Sequence, residues 1–379
     1  MKIITEESTK LKISEKSKIS KELEVFYNPI MKLNRDTSIL LLNLIKDKEM
    51  QLALPLAGSG IRGIRFLKEL KKNKIKNISF NDYGSIKHIK QNIKLNELEK
   101  DSKLKLSSKD ANLFLLESKG FDYIDIDPFG SPNQFLDNAI IRISRNGILA
   151  VTATDTSALS GSHESACIRK YYAKPLRNEL MHEVGIRILI RKVQLIGAQN
   201  ERALIPIFSY SKDHYFRIFF RCIKGKKKAD EIFKQHEFLL YNHKTMQREI
   251  SKYNFKQGYD YAGPMWTGKL WDTKLVEKMY KNADKDNKEL FDLLYVIKEE
   301  SKINVVGFYD LHKLAQLKQI PIPKMQEVLA KGKVRTHFLR WGIKSKEFPI
   351  WFFSSETKNL YIKVYHFLIT TCLKKLLNE

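Results

Sequence analysis

Gln51-Leu52-Ala53-Leu54-Pro55-Leu56-Ala57-Gly58-Ser59-Gly60-Ile61-Arg62-Gly63 is the stretch from which the fold follows. Gln51 to Leu56 is an apolar run that reads as a short buried strand. Gly58, Gly60 and Gly63 then give the spacing GxGxxG, and a helical run continues to about Lys72. Strand, glycine turn and helix in that order is the context this motif requires. Glycines let the backbone approach a ligand, and a helix N-terminus favours negative groups. The same spacing also serves plain helix–sheet packing. Arg62 and Arg65 fall on the first turn of the helix, placed for a carboxylate or a phosphate, or simply as surface charge.

Working towards the C-terminus, Ile78 to Asn81 predicts a second strand ending at Asp82. An acid some twenty positions past the first glycine is where ribose hydroxyls are held in dinucleotide sites. A helix over Ser85 to Leu98 follows, then a strand around Leu104 to Ser107 that leads to Asp110-Ala111. Asp110 reads equally as a helix cap. The fourth strand, Phe121 to Ile126, runs into Asp127-Pro128-Phe129-Gly130, and proline ends the ladder there. A helix from Asn133 to Ser144 leads to a fifth strand, Gly147 to Asp155. Gly58, Asp82, Asp110, Asp127 and Asp155 thus all fall at expected strand ends. The alternation predicts a mostly parallel α/β sheet with its ligands at the carboxyl ends. Thr156 to His163 reads as a Ser/Gly-rich loop, and Glu179 to Leu195 as a helix. Arg202 to Tyr210 and Tyr215 to Ile223 read as an antiparallel hairpin closing the sheet.

Towards the N-terminus, Asn28-Pro29 is a turn signal after the aromatic pair Phe26-Tyr27, and Asp36 is placed to cap a helix over Thr37 to Lys46. Ile13 to Lys21 is Ser/Lys/Glu-rich and reads as surface. Beyond the basic run Lys224-Gly225-Lys226-Lys227-Lys228, the expected boundary between units 1–223 and 224–379, Gly258 to Asp272 reads as an aromatic-anchored linker. Helices are expected over Thr273 to Asn282, Lys288 to Lys302, Tyr309 to Gln319 and Pro321 to Lys331. The last two resemble a helix-turn-helix, with Val334 to Lys344 as a wing exposing Lys333, Arg335, His337 and Arg340. A helical packing unit without nucleic-acid contacts fits the same pattern.

The formal net charge of +25 in 379 residues points to a polyanion, nucleic acid first, over a merely Lys-rich composition. Mean hydropathy of −0.38 and the lack of a long uncharged apolar run argue against membrane spans. The first 21 residues carry no apolar core of the signal-peptide type, so the expected location is cytoplasmic. Cys167, Cys222 and Cys372 are far apart and form no CxxC pair, so neither a disulfide framework nor a four-cysteine zinc site is indicated.

A nicotinamide dinucleotide and S-adenosylmethionine both suit such a core. No His or Tyr is nominated as the proton donor a dehydrogenase needs, whereas the Asp127 corner suits methyl transfer to an exocyclic amine. Its carboxylate and the Pro128 carbonyl can accept the two N–H bonds of that amine, and Phe129 can stack on the base. A third reading, an RNA-binding protein without catalysis, is disfavoured by the intact corner.

The motifs then align as a set. Phe26-Tyr27-Asn28-Pro29 with Asn34-Arg35-Asp36, Gly60-Ile61-Arg62-Gly63-Ile64-Arg65, Asp127-Pro128-Phe129-Gly130-Ser131-Pro132, Thr152-Ala153-Thr154-Asp155-Thr156, Gly263-Pro264-Met265-Trp266 and Arg335-Thr336-His337-Phe338 occur in this order. Together they resemble the tRNA guanine-26 N2-dimethyltransferase family over nearly the whole chain. The resemblance implies a class I, Rossmann-like methyltransferase domain followed by a smaller α+β C-terminal domain with a helix-turn-helix-like part. It implies Asp127 as the catalytic residue, and Phe26 and Phe129 as the two faces of a guanine sandwich. Arg35, Arg65, Asp82, Asp110 and Ala111 are implied as S-adenosylmethionine ligands, with Arg62, Gly58 and Gly60 beside them. The implied partner is tRNA, with no membrane and no obligatory protein partner. Many relatives carry paired cysteines, apparently for zinc, where this chain has Tyr241 to Glu249 without a cysteine. No structural zinc is therefore expected.

Overall fold

The computed structural model describes residues 1–13 and 27–347. Phe26, Cys372 and most of the Ile13–Lys21 segment lie outside the described residues. The chain opens on a hairpin that its sequence did not announce. β1 (Lys2–Glu6) and β2 (Thr9–Ile13) pair antiparallel. Leu11 and Ile13 are buried. The backbone N–H groups of Lys10 and Lys12 donate to Asn96 Oδ1 at 3.0 Å and Asn92 Oδ1 at 2.7 Å. A 3-10 turn, Pro29–Met31, feeds α1 (Lys32–Leu44). Asp36 is therefore inside this helix and not its cap. Proline at the first turn needs no donor there, so the helix begins early.

The alternation that follows matches the expectation. It runs β3 (Met50–Leu54), α2 (Ile61–Glu69), β4 (Ile75–Asn81), α3 (Ile86–Leu95), β5 (Leu104–Ser107), α4 (Ala111–Glu117), β6 (Phe121–Ile126), α5 (Asn133–Arg142) and β7 (Ile143–Ala153). The expected loop after β7 instead folds as the short α6 (Thr156–Leu159), ahead of α7 (Glu164–Tyr171) and the long α8 (Met181–Gln199). β8 (Arg202–Lys212) and β9 (Tyr215–Lys224) form the closing hairpin. The seven strands are ordered β5-β4-β3-β6-β7-β9-β8. β3 to β7 are parallel, and β9 runs antiparallel to both β7 and β8. Helices cover the parallel strands, so these are nearly continuous apolar runs; Leu52, Ala53, Tyr123, Ile124 and Ile126 are fully buried. This is the α/β methyltransferase architecture. The strand order reverses between the parallel neighbours β3 and β6, successive strands being added outward on opposite sides, which opens a crevice at their carboxyl ends.

The rest of the chain begins with α9 (Lys226–Phe233) and a sheet of β10 (His236–Tyr241), β11 (Arg248–Ser251) and β12 (Asp260–Trp266), ordered β11-β10-β12. The stretch read as a linker is thus largely a strand. Ala262, Met265 and Trp266 are buried against α8, where Arg187 Nη1 donates to the Trp266 and Gly268 carbonyls at 3.0 and 2.9 Å. Residues 270–272 then run along the outer edge of β8. Ser209 Oγ donates to the Leu270 carbonyl at 2.8 Å, Trp271 Nε1 to the Ser209 carbonyl at 2.7 Å, and Asp272 N to the Ile207 carbonyl at 2.9 Å.

α10 (Thr273–Asn282) and α11 (Lys288–Glu300) pack on α1. β13 (Tyr309–Asp310), α12 (Leu311–Lys318), α13 (Met325–Ala330), β14 (Val334–Arg335) and β15 (Gly342–Lys344) follow, two short helices where a helix-turn-helix was expected and a small sheet, ordered β13-β15-β14, where the wing was expected. The wing differs from expectation in what it exposes. Arg340 is exposed, Lys333 and Arg335 are half-buried, and the His337 side chain is turned inward. Its Nδ1 meets Glu300 Oε2 at 2.7 Å, and its Nε2 accepts from Ser211 N, next to the β8–β9 turn, at 3.3 Å. A lone acceptor there leaves Nδ1 as the protonated nitrogen. The buried Lys344 ammonium sits beside, on Glu183 Oε2 at 2.9 Å. No helix among the described residues is long and apolar enough to cross a membrane.

Candidate active site

β3 gives way to a turn in which Gly58 and Gly60 take φ of +56° and +82°. Side chains disfavour that region, so glycine is required there. Gly63 is required for a different reason: a Cβ would stand 2.3 Å from the Phe80 ring. The third glycine thus seats α2 against β4, and the first two shape the loop. Gly58 N donates to Asp82 Oδ2 at 2.8 Å, while Asp82 Oδ1 accepts from Gly84 N at 3.2 Å and Ser85 N at 2.9 Å. The acid at the end of β4 therefore braces the glycine turn.

On the other side of the crevice, β6 ends at the Asp127 corner. Gly130 N donates to Thr154 Oγ1 at 2.7 Å, and Thr154 N to the Gly130 carbonyl at 3.0 Å, which zips the corner to the end of β7. Ser131 Oγ meets Tyr171 Oη at 2.9 Å, and Tyr171 Oη donates to both Asp155 oxygens at 2.8 Å. Phe129 is held half out, 38% exposed. Asp127 is mostly shielded, and its Oδ2 accepts from Arg62 Nη2.

Beneath the corner lies a buried polar network that sequence reading missed. Arg217 on β9 donates to Asp125 Oδ1 at 2.9 Å and Oδ2 at 2.7 Å, to Thr152 Oγ1 at 2.9 Å and to Ser38 Oγ at 2.9 Å. Arg62 Nη1 donates to Asn34 Oδ1 at 2.9 Å and Ser38 Oγ at 3.1 Å. Burial alone would raise the Asp125 carboxyl, but the Arg217 and Arg62 cations overcome it and hold the group below the ordinary carboxylate range. The signal was present: Asp125 and Arg217 are charges flanked on both sides by apolar residues within expected strands.

A second cluster joins the N-terminal hairpin to α1 and α2. Glu6 accepts from Arg35 Nε at 2.7 Å and Nη2 at 2.5 Å, from Arg65 Nη1 at 2.9 Å and from Tyr27 Oη at 2.9 Å. Arg65 also donates to Asp36 Oδ1 at 2.6 Å and, twice, to Glu69. Glu6 gave no sequence signal, because an acid in a short polar segment has no periodicity to stand out from.

One cavity of about 560 Å³ joins the glycine loop to the Asp127 corner. Arg35, Gly58, Arg62, Asp82, Asp127, Pro128 and Phe129 line it, as do Tyr27, Asn28, Thr154, His214 and Tyr215. Gly60 shapes the loop from behind. Arg65 lies outside the lining, wholly engaged by acids. Asp110 caps α4 through Asn112 N and Leu113 N, and Ala111 is buried at that helix start, also outside the lining. Phe26 is outside the described residues. The size is ordinary for a small-molecule site, about 300–1,000 Å³. A bare glycine loop at one end, an acid beside it and the buried Arg35 in the wall fit a nucleoside that carries an amino-acid tail. His214 and Tyr215, brought in by the β8–β9 turn, were read from sequence only as a hairpin. Cys167 and Cys222 are buried free thiols, and among the described residues no group of His, Cys, Asp and Glu is arranged to hold a metal ion.

Comparison with known proteins gives concordant matches. The family model of N2,N2-dimethylguanosine tRNA methyltransferases matches residues 4–347. A tRNA (guanine(26)-N(2)/guanine(27)-N(2))-dimethyltransferase of Aquifex aeolicus is 40% identical over 367 residues, covering 91% of this chain and 93% of its own length. A tRNA (guanine(26)-N(2))-dimethyltransferase of Methanocaldococcus jannaschii is 39% identical over 362 residues, covering 90% and 95%. The solved structure of Trm1 from Pyrococcus horikoshii with S-adenosyl-L-methionine superposes with a TM-score of 0.83 at 32% identity, over 96% of this chain and 99% of that one.

Proposed function

The chain belongs to the N2,N2-dimethylguanosine tRNA methyltransferase family, and from that premise we propose that it transfers one or two methyl groups from S-adenosylmethionine to the exocyclic N2 of guanine-26 in tRNA. The observation that supports this reading best is the continuous cavity between the glycine loop and the Asp127-Pro128-Phe129 corner. One molecule can bind at each end and the two reacting atoms can meet between them.

Gly58, Gly60, Asp82 and Arg35 are the residues suited to hold the cofactor. The motif positions also name Arg62 and Arg65, and Asp110 and Ala111 at the carboxyl end of the neighbouring strand. S-adenosylmethionine, when bound, supplies a methyl group on a sulfonium that is a good leaving group. The chain has to position a poor nucleophile, since the amine lone pair is delocalised into the ring. Asp127 Oδ2 is committed to Arg62, which leaves Oδ1 for one N–H. The Pro128 carbonyl takes the other. Both acceptors stabilise the positive charge that grows on nitrogen, and fixed geometry supplies much of the remainder. Phe129 offers a face to the base, and Phe26 is the proposed second face. Guanine-26 would have to leave its stack to reach this site. Units 1–223 and 224–379 would divide the work into methyl transfer and tRNA docking, which the net charge of +25 favours.

The test is a tRNA transcript incubated with purified protein and S-adenosylmethionine, digested and read by mass spectrometry with the position mapped. Dimethylguanosine at position 26 is the expected product. An Asp127→Ala variant should bind the cofactor and lose methyl transfer; retained turnover would remove Asp127 from the catalytic role.

A further inference from the structure

Tyr172 ends α7 in an uncommon way. It is the C-terminal cap of that helix and takes φ of +53° and ψ of +42°. Glycine favours this left-handed conformation, and asparagine after it, because a Cβ is crowded there. A bulky aromatic residue in it is an outlier. The side chain gains little from burial, since Tyr172 is 64% exposed. Backbone bonds hold the conformation: Tyr172 N donates to the Ile168 carbonyl at 2.9 Å, and Arg191 Nη1 donates to the Tyr172 carbonyl at 3.4 Å. A strained backbone that keeps a large ring in solvent points to a use outside the fold.

The ring stands among cations. Lys192 Nζ, on α8, lies 4.6 Å from the ring centroid, and Arg169 and Lys170 are exposed at the end of α7. Lys170 is answered by Asp155 at 3.3 Å. Arg169, Arg191 and Lys192 have no acid within ion-pair distance among the described residues; the acid nearest in effect to Lys192 is Asp137 on α5. Burial lowers both Arg191 and Lys192 from their ordinary ranges, and Arg191 Nε is buried without a hydrogen-bond partner. These are desolvated cations that an anion would complete. The patch is also fastened to the Asp127 corner. Asn133 Nδ2 donates to the Lys170 carbonyl at 2.9 Å, and the adjacent Tyr171 holds Ser131 at 2.9 Å and Asp155 at 2.8 Å.

Resting on the methyl-transfer reading above, we propose that Tyr172 is a stacking platform for a tRNA base near the extruded guanine, with Arg169 and Lys192 taking neighbouring phosphates. Extrusion deprives the bases beside the target of a stacking partner, and an aromatic ring next to the corner supplies one. Lys192 covers one face of the ring, and the exposure of the residue leaves the other face for the base. Every base has a π-face, so this contact gives affinity and register and no choice of base.

Tyr172→Gly separates the ring from the fold. Glycine adopts the left-handed cap readily, so the thermal midpoint should not fall. Affinity for a tRNA transcript, by filter binding at fixed salt, should fall about tenfold, within the range of losing one stacked base. Tyr172→Phe keeps the ring and should bind as wild type. Lys192→Gln should weaken binding and lower the slope of log affinity against log salt by about one, and Tyr172→Gly should leave that slope alone. Calorimetric affinity for S-adenosylmethionine should be unchanged in all three. Binding by Tyr172→Gly within about twofold of wild type would overturn the assignment, as would an equal loss in Tyr172→Phe. The binding measurement needs no turnover. Wild type that holds tRNA through Tyr172 yet leaves guanine N2 unmethylated would therefore sink the functional reading and leave the stacking surface standing.

Discussion

The guanidinium of Arg62 donates to the carboxylate of Asp127 across the crevice between α2 and the end of β6. The glycine-loop helix and the Asp127 corner are thereby one mechanical unit. The same guanidinium reaches Asn34 at 2.9 Å and Ser38 at 3.1 Å, so α1 belongs to that unit as well.

Arg62→Gln should therefore act on the chemistry more than on cofactor binding. The methyl-transfer rate constant should fall about 10²-fold, the scale of losing one preorganised electrostatic partner. Calorimetric affinity for S-adenosylmethionine should change little. The opposite pattern, weakened cofactor binding with an intact rate constant, would return Arg62 to the set of cofactor ligands that its motif position implies.

Gly63→Ala tests the seating of α2. The new methyl would lie 2.3 Å from Phe80 and 2.7 Å from Leu54 Cδ1, both buried in the sheet. Overpacking of this kind costs about 1–3 kcal/mol. The thermal midpoint should drop, and Phe80→Leu added to the same chain should recover part of the loss. An unchanged midpoint for Gly63→Ala would mean that the contact relaxes freely.

Acid should loosen the contact between α8 and the wing. Burial would raise the Glu183 carboxyl, but Lys344 and Arg187 outweigh it and bring the group from 4.5 to about 2. A carboxylate lowered in the folded state contributes stability that is complete above its unfolded value and lost as pH falls from about 4.5 towards 2. The size is on the order of 3 kcal/mol. Denaturant midpoints across that window should fall more steeply for wild type than for Glu183→Gln. Parallel curves would show that other acids carry the effect.

Most of the architecture was legible because it rests on periodicity and punctuation. β5 falls at Leu104–Ser107 as read, and β6 ends where Pro128 removes the donor. The glycine turn and the Asp127 corner, the two ends of the cavity, were legible for the same reason, since both are strand-end motifs. What escaped depends on contacts between distant residues. Glu6 gains its meaning from Arg35 and Arg65, and His337 from Glu300 and Ser211. Asp36 looked like a cap from local rules and is a buried partner of Arg65 at 2.6 Å. The strand β12 was hidden by its glycine and proline, which usually break strands, yet its place is fixed by Arg187 from another element.

The run of residues 270–272 along β8 bears on how the chain can be divided. β8 is the last strand of the seven, and it is long and apolar, with Ala203, Leu204 and Phe208 buried. Its outward backbone carbonyls at Ile207 and Ser209 are answered by Asp272 and Trp271. A chain cut after residue 223 would keep every strand of the large sheet and lose this cover. The uncovered rim would then present open hydrogen-bonding groups beside apolar side chains, a template for pairing with another copy. A chain of residues 1–223 is thus expected to self-associate, since the cover it loses is the one that residues 270–272 lay along β8 in the full chain.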